Sequence, residues 1–188
     1  MLLNALRVLE EALRQHLLPG TINRNRAPLV HISPPGRDRA EAHTAGNALC
    51  LCLVGLEREP HAVGSVPQDT EPGVMPLYVN LNVLLFADFA DYAEALFFLS
   101  EGIVCFQNRN SFTPEDFPQI DFPGQSLRLD PVFTPPEQSA ALWQQLGSPL
   151  LPSLQYKVRM LRFQRERRQK EATGAGVLSG FLWWKKNK

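Results

Sequence analysis

Leu2, Leu6, Leu9, Leu13 and Leu17 recur at steps of four, three, four and four, with Arg7, Glu10, Glu11 and Arg14 between them. This spacing gathers the leucines on one face of a 3.6-residue turn, so it predicts an amphipathic helix, ended by Pro19-Gly20. The run Leu29-Val30-His31-Ile32 predicts a short strand, and Pro34-Pro35-Gly36 stops it before a polar loop over residues 37–46. From Asn47 to Glu59, Leu49, Leu51 and Leu53 alternate with Cys50, Cys52 and Val54. Both faces are apolar, which predicts a central strand covered on both sides. Residues 60–76 hold four prolines and two glycines without a hydrophobic period, the pattern of a long functional or mobile loop.

The clearest period follows. Leu77, Val79, Leu81, Val83 and Leu85 alternate with Tyr78, Asn80, Asn82, Leu84 and Phe86, a strand with one core face and one partly polar face. Asp88 is expected to cap the next helix, with Asp91 favouring the positive end of its dipole. In that helix Phe89, Tyr92, Ala93, Leu96, Leu99, Ile103 and Phe106 form the expected stripe, widened by Phe97, Phe98 and Val104. So broad a stripe predicts packing on a sheet and against another element or chain. Residues 108–124 read as a loop with one turn at Thr113-Pro114-Glu115-Asp116, and residues 126–132 as a short strand. Thr134-Pro135-Pro136-Glu137 has the form of a capping box with proline at the first helical position. The helix it opens carries Trp143 and is ended by Gly147 and Pro149. From Leu154 to Phe163, Leu154, Tyr156, Val158 and Met160 alternate with Gln155, Lys157 and Arg159: a strand with a cationic second face, read as a sheet edge. The predicted fold class is α+β, with a mixed or mainly antiparallel sheet packed by helices. It occupies residues 1–164, and residues 165–188 form a basic, tryptophan-containing extension.

Composition changes this picture in one respect. The 188 residues carry 19 Lys+Arg and 19 Asp+Glu, yet the charges are segregated. Residues 1–156 hold 9 basic and 17 acidic side chains, and residues 157–188 hold 10 basic and 2 acidic. A domain this long can bury roughly 70% of its unfolded surface without disulfides or metal. Three cysteines in apolar runs, no secretory leader and no run of about 18 apolar residues lead us to expect a protein kept in a reducing cytoplasm.

Catalytic signals are few. No glycine-rich phosphate loop and no Gly-x-Ser-x-Gly elbow occurs. Cys50-x-Cys52 is half a zinc site, and His16, His31, His43 and His61 lie at no ligand spacing from it. Cys105 lies in an apolar helix, where burial suppresses thiolate formation, and helix capping explains Asp88 and Asp91 more simply than acid–base work. No catalytic, metal or cofactor residues are therefore expected, and no enzymatic activity. The basic segment is the remaining candidate: Lys157, Arg159, Arg162, Arg165, Arg167 and Arg168, with Lys170 and the Trp183-Trp184 end. Three readings stand side by side: contact with nucleic acid or a membrane interface, a solvated strand edge with a tail, and docking on an acidic protein surface, including that of a neighbouring identical subunit.

Three stretches taken together carry a resemblance: the opening Leu2-Leu3-Asn4-Ala5-Leu6-Arg7; Pro76-Leu77-Tyr78-Val79-Asn80-Leu81-Asn82-Val83 running through Tyr92-Ala93-Glu94-Ala95-Leu96; and Pro152-Ser153-Leu154-Gln155-Tyr156-Lys157-Val158-Arg159-Met160. With the tryptophan helix at Trp143, they occur in the order found in the tail terminators, or caps, of phage-tail-like contractile injection systems of the antifeeding-prophage and virulence-cassette type. The chain resembles that family over residues 2–164. The resemblance implies a tail-terminator-like fold and a structural role without cofactors: a sixfold ring closing the tail end away from the baseplate, against the last inner-tube and contractile-sheath layers. It implies the same chain, the sheath protein and the tube protein as partners, and no nucleic acid. It places the protein in a bacterial cytoplasm, within a particle that is released or, through the C-terminal segment, held at a membrane. Leu77, Tyr78, Asn80, Leu81, Tyr92, Leu96, Trp143, Tyr156, Val158 and Met160 are the structural positions of the shared motifs. Lys157, Arg159, Arg162, Arg165, Arg167, Arg168, Trp183 and Trp184 are the candidate interface residues.

Overall fold

The computed structural model describes residues 1–18, 29–36, 47–59 and 77–163, with side chains through Arg159. The two long loops expected at 37–46 and 60–76, the Pro19-Gly20 stop and the extension at 165–188 lie outside the described residues. The elements run α1 (Leu2–His16), β1 (Leu29–Ile32), β2 (Ala48–Arg58), β3 (Leu77–Asp88), α2 (Tyr92–Asn108), β4 (Ser111–Phe112), a 3-10 turn (Pro114–Asp116), β5 (Leu127–Val132), α3 (Pro136–Gln145) and β6 (Ser153–Phe163). Six strands form one sheet in the order β1-β2-β3-β6-β5-β4. β1 runs parallel to β2 and every other pair is antiparallel, so the sheet is mixed and the class is α+β as expected.

Period-two alternation divides the sheet between two cores. Leu49, Leu51, Leu81, Val83, Leu85, Leu129, Tyr156 and Val158 point to the face covered by α1 and α2. Ala48, Cys50, Cys52, Leu84 and Phe86 point to the other face, where α3 delivers Trp143. The Trp143 ring meets Phe86 edge-on at 5.8 Å and 89°. The first half of β2 is therefore covered on both sides, which is why its sequence is apolar on both.

α2 approaches the sheet through Gly102. A Cβ there would lie 3.1 Å from Leu49 Cδ2 and 3.1 Å from Leu85 Cδ2, so a larger side chain would force the helix outward. The buried side of α2 is Ala95, Phe98, Leu99, Gly102, Cys105 and Phe106. The expected stripe is only partly right: Leu99 and Phe106 are inside, while Tyr92 and Leu96 are 68% and 43% exposed. Apolar residues surround this helix, so period alone selects no face; close contact selects the side where Ala95, Gly102 and Cys105 are small.

Three local expectations are corrected. Asp88 ends β3, paired with Ala48, and the cap is Asp91, whose carboxylate accepts from Ala93 N at 2.7 Å and Glu94 N at 3.4 Å. Pro135, not Thr134, occupies the cap of α3 and supplies no side-chain bond; the Thr134 hydroxyl donates to Gln155 Oε1 at 3.2 Å instead. β6 is interior, between β3 and β5, and is not an edge. Its cationic face suggested an edge because the carboxylates that neutralise it lie on other strands. Among the described strands, the edges are β1 and the two-residue β4. On β1, Arg14 Nη2 donates to Val30 O at 2.8 Å while Glu10 holds the guanidinium at 2.7 Å, so one carbonyl of the edge strand already has a donor.

Candidate functional site: assembly surfaces

Beyond the patch under α3, the second face of the sheet turns polar, and its side chains pair across strands. In one row, Asn82 Nδ2 donates to Glu57 Oε1 at 2.7 Å and Lys157 Nζ lies 2.6 Å from Glu57 Oε2. In the next row, Asn80 Nδ2 donates to Glu59 Oε2 at 2.7 Å. Arg159 reaches the same Glu59 oxygen through Nη1 at 3.4 Å and donates through Nε to Asp130 Oδ2 at 2.6 Å. The rows thus tie β2, the residue after it, β3, β6 and β5 together. Irregularities in the ladder, at Leu53/Gly55 and at Val79/Leu81, lie beside these rows and add local twist.

Electrostatics follow from the contacts. The hydrogen bond from Lys157, then that from Asn82, holds the Glu57 carboxyl below its usual range. Glu59 and Asn80 are the buried polar residues of the described chain, and Asn80 Oδ1 has no hydrogen-bond partner among the described residues. A buried carboxylate is tolerated here because Asn80 and Arg159 both face it. Lys157 and Arg159, two candidate docking cations, therefore already have carboxylates within the chain. The side chain of Arg162 lies outside the described residues, as do Arg165, Arg167, Arg168, Trp183 and Trp184.

The motif positions fall into three environments. Leu81, Trp143, Tyr156 and Val158 are core, with Tyr156 edge-on to Phe106 at 5.2 Å. Asn80 belongs to the polar row and Tyr78 is half-buried beside it on the same strand. Leu77, Tyr92 and Leu96 are exposed, and the side chain of Met160 lies outside the described residues. Sequence reasoning missed Glu57, Glu59 and Asp130 as partners. A signal was present: Glu57-x-Glu59 and Lys157-x-Arg159 each place two like charges on one strand face, the pattern expected of two strands flanking a common neighbour. It also passed over Phe133 and Leu150, which are 82% and 68% exposed.

Burial pushes the Cys50 and Cys105 thiols up to about 11, and Cys105 Sγ donates to Ala12 O at 3.7 Å, tying α2 to α1. These are packing residues in a poor setting for nucleophiles. Among the described residues, no three His, Cys, Asp or Glu converge to hold a metal ion, and no helix is long and apolar enough to cross a membrane.

This α+β fold resembles those of known terminators of contractile injection systems. The fold is similar to the sheath/tube terminator of the PVC extracellular contractile injection system in its extended state: TM-score 0.63, 15% identity, 95% of this chain and 62% of that one. It is similar also to the tube-terminating cap of the anti-feeding prophage, with TM-score 0.62, 15% identity, and coverage of 95% of this chain and 60% of that one. The chain thus spans about three-fifths of the length of these proteins. No curated protein sequence matches it. Residues 5–174 match the Pvc16 N-terminal domain model, and the chain belongs to that family.

Proposed function

We propose that this chain is the terminator of a contractile injection machine, closing the baseplate-distal end of its tube and sheath as a sixfold ring without enzymatic turnover. The observation that carries the reading is the agreement of a family match over residues 5–174 with a fold likeness, over 95% of the chain, to two terminators. Residues 1–164 are the cap domain and residues 165–188 an added docking segment. The physical features suit the role. Cross-strand ion pairs brace the polar half of the sheet, so the domain can bear load without presenting a free cationic strand. Its exposed apolar side chains are available for contacts between subunits. Affinity purification of the tagged chain from cells expressing the whole machine tests the proposal. Sheath and tube proteins should co-purify, and electron microscopy should place the tag at the end away from the baseplate. A chain absent from assembled particles would refute it.

A further inference from the structure

Phe133, Tyr92 and Leu150 are the three most exposed large apolar side chains among the described residues, at 82%, 68% and 68%. The sheet register brings all three to one end. Ala48 pairs with Asp88, Phe86 with Ser153 and Val132 with Gln155. Tyr92 begins the helix just after β3 ends at Asp88, Phe133 follows the last residue of β5, and Leu150 precedes the first residue of β6 by three positions. Local bonds fix this end: Ala90 N donates to Asn47 Oδ1 at 3.1 Å, Ala87 N to Pro152 O at 3.0 Å, and Thr134 to Gln155 at 3.2 Å. Three exposed apolar side chains thus stand at this one end of the sheet.

Among the described residues closest to this end, the charged side chains are acidic: Asp88, Asp91, Glu94 and Glu137. The opposite end of the sheet is where Leu77 pairs with Phe163, the last residue of β6. From there the chain continues into residues 165–188, with Arg165, Arg167, Arg168, Lys170, Lys185, Lys186 and Lys188 and the apolar run Phe181-Leu182-Trp183-Trp184. β3 is 12 residues long, so the two ends stand about 40 Å apart at about 3.4 Å per residue.

We propose that the end formed by Tyr92, Phe133 and Leu150 is the receptor for the Trp183-Trp184 segment of a second copy of this chain. An apolar, acidic surface is complementary to an aromatic, basic segment in both packing and charge. Donor and receptor stand at opposite ends of the domain, so the proposed contact with a second copy is head-to-tail, and head-to-tail contacts close into rings when the rotation allows. The inference rests on the ring reading above and adds to it the surfaces that meet.

Photo-crosslinking of the full chain tests it. A p-benzoylphenylalanine replaces the exposed Phe133, and after irradiation the products are separated by denaturing electrophoresis and mapped by mass spectrometry. The expected product is a covalent dimer joined between position 133 and residues 177–188. Its yield should fall severalfold when ionic strength rises from about 0.05 to about 0.5 M. It should fall about tenfold in a Trp183→Ser/Trp184→Ser chain whose circular dichroism is unchanged, as expected if the two anchors together contribute about 1.4 kcal/mol. Cross-links confined to one copy, cross-links elsewhere on a second copy, or no cross-linked product would each overturn it. Co-purification of the wild-type chain with sheath and tube is read separately, so this contact can fail while the terminator reading stands.

Discussion

Replacing Arg159 by methionine removes a guanidinium that joins Asp130 to Glu59. The bond to Asp130 is short, 2.6 Å, but the two side chains are 37% and 33% exposed; solvent screening limits such a pair to about 0.2–1 kcal/mol. Glu59 is different, its side chain only 10% exposed. Removing one partner of a fully buried pair costs about 3–5 kcal/mol, yet Glu59 keeps the 2.7 Å hydrogen bond from Asn80 and the Arg159 contact is a long 3.4 Å. A loss of about 2 kcal/mol at Glu59 is therefore the reasonable share, and about 2–3 kcal/mol the total. With a urea slope of about 2 kcal/mol/M, the midpoint of unfolding, followed by far-ultraviolet circular dichroism, should fall by about 1–1.5 M. Adding Glu59→Gln to the Arg159→Met chain removes the buried carboxylate that has lost this cation and should recover at least about 1 kcal/mol. The reasoning is refuted if Arg159→Met shifts stability by less than about 0.5 kcal/mol, the ordinary range of surface substitutions, or if the double variant is no more stable than the single one.

Three further outcomes follow from the same structure. Trp143→Ala should cost about 3–5 kcal/mol by emptying the core of the smaller cluster, whereas Trp143→Phe should cost clearly less. It keeps a ring beside Phe86 and sheds an indole N–H that has no hydrogen-bond partner among the described residues; urea unfolding of both variants decides, and equal losses would contradict the packing argument. Iodoacetamide should label Cys50 and Cys105 in the native chain at least about a hundredfold more slowly than in urea at pH 8, since both thiols are buried and pushed up to about 11; rapid native labelling would show that these helices and strands open locally. The Glu57 carboxyl is lowered from 4.5 mainly by Lys157, and that of Asp116 from 3.8 mainly by the Thr113 backbone N–H with help from Arg109. A folded pKa below the unfolded one means that this stabilisation is complete above these values and is lost as the pH falls through the folded ones. Stability should therefore decline from about pH 4.5 downward, less steeply in a Glu57→Gln/Asp116→Asn chain, and an increase on acidification over that range would contradict the assignment.

The amino-acid sequence by itself determined the parts that depend on neighbours along the chain. Leucines at helical steps made α1, period-two alternation made β2, β3 and β6, Gly147 and Pro149 ended α3, and Thr113-Pro114-Glu115-Asp116 formed its turn with the reciprocal Thr113–Asp116 bonds. Burial of Trp143, Tyr156, Val158 and the cysteines was legible for the same reason, since their apolar neighbours recur at fixed intervals. Only the tertiary structure decided which strands touch. An edge and an interior strand can show the same alternation, and β6 became interior because Glu57, Glu59 and Asp130, distant in sequence, neutralise its second face. It also selected the buried side of α2, where apolar residues on nearly every side left close approach through Gly102 as the deciding contact. And it brought Tyr92, Phe133 and Leu150 to one end of the sheet, from three segments whose local patterns carry no record of one another, because strand register is a long-range property that no short window of sequence encodes.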